Sequence, residues 1–81
     1  MYSLGLRIQK ARRTRGFQQK QTAKEIGVSP STWSLYENDN REPTLHHFRR
    51  IVETLDVSAD WLLGYTDEEP KLKGEKNNVI Y

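Results

Sequence analysis

Apolar residues recur along this chain at intervals of three and four, and no run longer than four residues alternates apolar with polar as a strand would. The pattern predicts helices alone. Leu4, Ile8 and Ala11 mark the inner side of a first helix, with Ser3 placed to cap it and Gly16 to end it. A second helix, from about Gln19 to Ile26, turns Ala23 and Ile26 inward and stops at Gly27, where a left-handed backbone is expected. Ser29 then caps a third helix with Pro30 at its first position, running to about Glu37. "NDNREP" is turn chemistry. Beyond it Thr44 caps a fourth helix whose Leu45, Phe48, Ile51, Val52 and Leu55 form an apolar stripe. Ser58 caps a short fifth helix, "ADWLL", closed by Gly64. The expectation is an all-α, five-helix domain over residues 1–65, followed by a polar tail over 66–81 that is mobile or docks through its terminal "NNVIY".

The second and third helices are joined by a short glycine-containing turn, which is the layout of a helix-turn-helix unit. Such a unit needs a small residue where its helices cross, supplied by Ala23, and a turn glycine four positions on, supplied by Gly27. With about 100° per residue, Trp33, Tyr36 and Glu37 share the inner side of the third helix. Ser31, Ser34, Leu35 and Asn38 fall on the opposite side, with Pro30 at the flank near the N-terminus. That outer arc holds small or medium side chains and no charge. A helix pressed into the major groove needs such a face, because its backbone must come close and base edges are met by hydroxyls and by apolar groups against thymine methyls. A merely solvated helix would carry long charged side chains there as readily.

Charge strengthens this reading. The net charge of +2 conceals ten Lys/Arg against four Asp/Glu in residues 1–50, and three against seven in residues 51–81. A basic half suits a polyanion. Several other chemistries drop out. The chain has no cysteine, so it has no disulfide framework and no thiolate metal site. His46 and His47 are neighbours on a helix and diverge by about 100°, so they do not chelate one ion. Trp33, Tyr36, Phe48 and Trp61 have the spacing of buried helix faces, not of a stacking platform for single strands. No nucleophile is paired with a base, no glycine-rich phosphate loop is present, and 81 residues leave little room for a deep pocket, so an enzyme is not expected. No stretch is apolar enough for a signal peptide or a membrane span, which predicts a cytoplasmic protein.

"GFQQKQTAKEIGVSPSTWSLYENDNREP" followed by "LDVSADWLLG" resembles the phage-repressor helix-turn-helix family, the Cro/XRE-like and lambda-repressor-like domains. The likeness covers residues 4–64 and rests on separated landmarks, among them Gly16, Gln19, Ala23, Gly27, Tyr36-Glu37-Asn38, Pro43 and Trp61-Leu62-Leu63-Gly64. It implies a sequence-specific regulator of double-stranded DNA, of repressor type, that binds a near-palindromic operator as a homodimer with helix three in the major groove. It implies base reading by Pro30, Ser31 and Leu35, to which the outward side of the third helix adds Ser34. Phosphate contacts are implied for Arg12, Gln19, Asn38 and Arg41, with Arg12 also pairing with Glu37, and a phosphate contact is expected of Thr32 as well. Dimer contacts are expected from Ala59, Leu62 and Tyr81. No cofactor and no metal are implied. The chain departs from the family pattern at Thr22, where leucine is usual, at Gln18, a poor cap, and at Asp39, where glycine is common. A rival reading, motivated by the acidic C-terminal half, is an antitoxin-like or anti-repressor module that holds a protein partner on the same fold.

Overall fold

The computed structural model describes residues 2–67. Its five helices are α1 (Leu4–Arg15), α2 (Gln19–Ile26), α3 (Pro30–Glu37), α4 (Leu45–Leu55) and α5 (Ala59–Leu62), and the described residues contain no strand. Each start has a local cause. The side chains of Ser3, Ser29, Thr44 and Ser58 accept hydrogen bonds from the backbone N–H groups of Leu6, Thr32, His47 and Trp61. Each such cap satisfies a donor that the helix itself leaves orphaned. Gln18, the poor cap, makes no side-chain bond to α2. Gly16 and Gly27 end α1 and α2 in the left-handed region, at φ 78° and 92°, where a Cβ would strain the backbone.

Packing orders the helices around one core. Helix α3 lies against α1 and α2, while α4 rests on α1 and α2 and α5 on α1. Ile8, Ala23, Trp33, Ile51, Leu55 and Leu62 are fully buried, joined by Ile26, Tyr36 and Trp61. Each large side chain removed from water contributes about 1.5–3 kcal/mol, which a domain this small needs from nearly every apolar position. Trp33 meets Tyr36 edge-on, with ring centroids 6.1 Å apart. The Tyr36 hydroxyl shares a 3.1 Å hydrogen bond with His47 Nδ1, tying α3 to α4. Burial raises the titration of that hydroxyl, and the nearby positive charge of Arg41 works against the rise.

The expected apolar stripe of α4 needs one correction. Leu45 is 76% exposed, because it occupies the first helical position beside its Thr44 cap, short of the point where α4 meets the core. Phe48 and Val52 are partly buried against the core. Thr22 is buried in place of a leucine, and its hydroxyl avoids an unpaired state by donating to the Gln18 carbonyl at 2.8 Å. Most of the expected tail lies outside the described residues.

The N-terminus of α1 crosses the C-terminal end of α3 at very short range. A Cβ on Gly5 would sit 2.5 Å from the Glu37 carbonyl oxygen and 2.6 Å from that of Tyr36. The residue just beyond α3 secures this crossing. Asp39 adopts φ 61°, and its carboxylate accepts from the Ser3 hydroxyl and, at 2.8 Å, from the Gly5 N–H. A negative group at a helix N-terminus is favourable. Aspartate therefore replaces the family's usual glycine without losing the turn, and it adds a clasp between α3's end and α1's start.

Candidate nucleic-acid interface

Helix α3 turns its charge-free side outward. Pro30, Ser31 and Asn38 are exposed, and Thr32, Ser34 and Leu35 are partly exposed. The Asn38 amide donates to the Ser34 hydroxyl at 3.3 Å, one turn back along the same face. Ser29 donates its hydroxyl to that of Thr32 at 3.1 Å. Past the helix, the N–H groups of Asn40 and Arg41 both bond the Leu35 carbonyl, at 2.9 and 3.3 Å. These bonds hold the loop with exposed Arg41 beside the end of α3. Pro30, Ser31, Ser34, Leu35, Asn38 and Arg41 are thus brought to one region by α3 and the turn that follows it.

Behind this face lies a buried carboxylate that joins three helices. Glu37 has a side chain 1% exposed. It accepts from Arg12 Nε at 2.5 Å and Arg12 Nη2 at 3.2 Å on α1, from Gln19 Nε2 at 2.8 Å on α2, and from Trp33 Nε1 at 2.6 Å on α3 itself. Gln9 adds a weaker bond at 3.4 Å. Burial alone would raise the Glu37 titration. The hydrogen bonds from Arg12, Gln19 and Trp33, with the Arg12 charge, outweigh it and hold the carboxyl below the usual carboxylate range. Gln19 is itself exposed, so its side chain reaches from the surface at α2's start to this interior anchor.

Two expected roles change. Arg12 is 8% exposed, and its remaining Nη1 donates to the Phe17 carbonyl at 2.7 Å. With all three nitrogens engaged inside the domain, it braces the framework and offers little surface to a phosphate. Leu62 is fully buried, so its side chain belongs to the monomer's own core and does not serve a dimer contact. The outward apolar groups near it are Leu63 and Tyr65, with Tyr2 and Leu6 on α1's side. Ala59 is partly exposed and Tyr81 falls outside the described residues. Arg7 is also drawn into the framework: it donates to the carbonyls of Trp61 and Thr66, each at 2.7 Å, and stacks over Tyr2 and Trp61.

Asp39 and Gln9 were missed as parts of this arrangement. A weak signal existed for Trp33, which stands four residues before Glu37, the spacing at which helical side chains meet. Nothing local in the sequence announced Gln9. Among the described residues no group of His, Asp and Glu could hold a metal ion, and no helix is long and apolar enough to cross a membrane.

A model of the helix-turn-helix domain family matches residues 5–68. The HTH-type transcriptional regulator ImmR of Bacillus subtilis (strain 168) is 33% identical over 69 residues, covering 85% of this chain and 54% of its own length. The cryptic phage CTXphi transcriptional repressor RstR of Vibrio cholerae is 38% identical over 56 residues, covering 67% of this chain and 50% of its own. The chain therefore spans about half the length of these relatives. The P22 c2 repressor, solved in complex with a synthetic operator, superposes with a TM-score of 0.76 at 27% identity, over 82% of this chain and all of that one. Motif, fold and relatives agree: this chain belongs to the helix-turn-helix domain family and has the fold of the phage-repressor DNA-binding domains.

Proposed function

We propose that this domain is a sequence-specific double-stranded DNA-binding regulator of transcription, of repressor type, acting in the cytoplasm as a homodimer on a near-palindromic operator. The observation that carries the reading is the outward face of α3, charge-free and open, on a fold shared with a repressor solved on its operator. In this reading α3 enters the major groove. Ser31 and Ser34 meet base edges through their hydroxyls, and Pro30 and Leu35 touch thymine methyls. Gln19, Thr32, Asn38 and Arg41 fix the register through phosphates, Gln19 from a helix N-terminus whose dipole favours an anion. A two-fold pair would set its recognition helices about 34–36 Å apart. Its contact would be built from the α5 end of the molecule, through Ala59 with exposed Leu63 and Tyr65.

Selection of bound duplexes from a random pool tests the whole reading. It should enrich a two-part site with half-sites about one helical turn apart. No enrichment at moderate salt, with a co-purifying protein captured instead, would favour the protein-partner module. A single unrepeated half-site would retain the DNA reading and remove the dimer.

A further inference from the structure

The turn after α3 carries a residue whose contacts lead away from the outward face. Asp39 is exposed, holds φ 61°, and stands between Asn38 and Arg41 in the chain. Its carboxylate crosses to another helix, accepting the Gly5 N–H at 2.8 Å and the Ser3 hydroxyl. Ser3 in turn caps α1 through the Leu6 N–H at 3.0 Å. The backbone bonds that close the turn run back onto α3 instead. Asn40 and Arg41 donate to the Leu35 carbonyl, and Asp39 donates to that of Tyr36 at 3.2 Å. Those bonds tie the turn to its own helix, whereas the carboxylate sets where the turn stands against α1. As a stabilising contact the clasp is modest, since Asp39 is exposed and its bonds compete with water. An open groove lined by Tyr2, Ser3, Leu6, Asn38 and Asp39 flanks it, so water can meet the Gly5 N–H once the carboxylate is removed. Glycine would hold the same φ with less strain. An aspartate in this left-handed turn is therefore better explained by where it puts its neighbours than by the stability it adds.

We infer that Asp39 is a positioning residue for the phosphate contacts: its clasp on α1 sets the height of the turn from Asn38 to Arg41 beside the outward face of α3. Asn38 and Arg41 then meet the DNA backbone from a turn already ordered in the free chain. Ordering in advance lowers the cost of fixing long side chains on binding. Asp39 itself touches no DNA, and its negative charge opposes a nearby phosphate. The inference rests on the DNA-binding reading and adds to it a residue that acts through two others.

The test compares Asp39→Gly with Asp39→Asn in the full chain. Both remove the same negative charge, and both residues adopt a left-handed turn. Asparagine can still accept from the Gly5 N–H and donate to the Ser3 oxygen, so the difference between the variants reports the clasp alone. On a duplex selected from a random pool, Asp39→Gly should bind about three- to tenfold more weakly than Asp39→Asn. Asp39→Asn should bind at least as tightly as wild type. Adding Arg41→Ala should weaken the asparagine variant more than the glycine variant, by about threefold or more, because Arg41 contributes fully only from a held turn. Amide relaxation measurements on the free chains should find residues 38–41 more mobile in Asp39→Gly than in Asp39→Asn. Urea unfolding checks that both variants are folded under the binding conditions, where a merely stabilising contact would move none of these readouts. Equal affinities for the two variants, or an Arg41→Ala loss of the same size in both, would overturn the inference. A wild-type chain that binds no duplex would instead remove the proposed function, and that control tells the two failures apart.

Discussion

Replacing Glu37 by glutamine probes the centre of the domain with a change of almost no volume. The carboxylate is buried and surrounded by donors: one oxygen receives Gln19 and Arg12 Nη2, the other Arg12 Nε and Trp33 Nε1. Glutamine has one acceptor and one donor at its end. Whichever oxygen becomes the amide nitrogen, it faces two N–H groups and can accept from neither. The Arg12 guanidinium meanwhile stays buried without a counter-charge. Breaking a buried ion pair from one side costs about 3–5 kcal/mol. At about 0.05–0.15 kcal/mol per residue, a domain of this size has only about 3–10 kcal/mol to lose. Glu37→Gln should therefore be marginally folded or unfolded at 37 °C. Urea unfolding followed by tryptophan fluorescence measures it, since Trp33 is fully buried against the same carboxylate. The partner change Arg12→Met should also destabilise. The double variant should lose less than the sum of the two, with a coupling of about 1 kcal/mol or more. It should not return to wild type, because one amide oxygen then stands where two carboxylate oxygens accepted from Trp33 Nε1 and Gln19 Nε2. Acid provides an independent check. The folded titration of Glu37 lies below its unfolded value, so its contribution is fully present above about pH 4.3. It is lost as the pH falls through the folded value. The wild-type chain should weaken over that acid range more steeply than any folded Glu37→Gln population. A loss under about 1 kcal/mol for Glu37→Gln, or strict additivity with Arg12→Met, would refute the account of the buried pair.

Three further outcomes are expected. Gly5→Ala gains about 1 kcal/mol from helix propensity, yet its Cβ would overlap the backbone of Tyr36 and Glu37, so a net loss of about 2 kcal/mol is expected in the same urea assay; a more stable variant would show that the crossing yields. Arg41→Ala should weaken binding to all duplexes alike and reduce the salt slope by about one unit, whereas a change confined to one operator would make Arg41 a base reader. Leu35→Gln should shift which operator a random pool yields, and an unchanged preference would remove Leu35 from the reading set.

How far the fold was legible follows from how local its causes are. Ser3, Ser29, Thr44 and Ser58 cap helices through bonds to residues three positions away. Gly16 and Gly27 stop helices through their own φ. Such signals are complete within a few residues, and so the five helices and the helix-turn-helix were readable. The open side of α3 was readable for a related reason: placing Trp33, Tyr36 and Glu37 inside leaves Ser31, Ser34 and Leu35 outside at helical spacing.

Other features required the packed molecule. The sequence by itself determined that Arg12 is basic and that Leu45 and Leu62 are apolar. It did not determine that all of Arg12's nitrogens turn inward, that Leu45 clears the core, or that Leu62 leaves the surface to Leu63. It made Glu37 an inward residue without revealing that Gln19 and Trp33 share it with Arg12. It offered Asp39 as a residue able to hold a left-handed turn, and gave no sign that its carboxylate clasps the start of α1. A cap or a stop is settled by neighbours in the chain. The partners of a charged side chain, and the water it keeps or loses, depend on which distant helices close over it, and only the tertiary structure decides that.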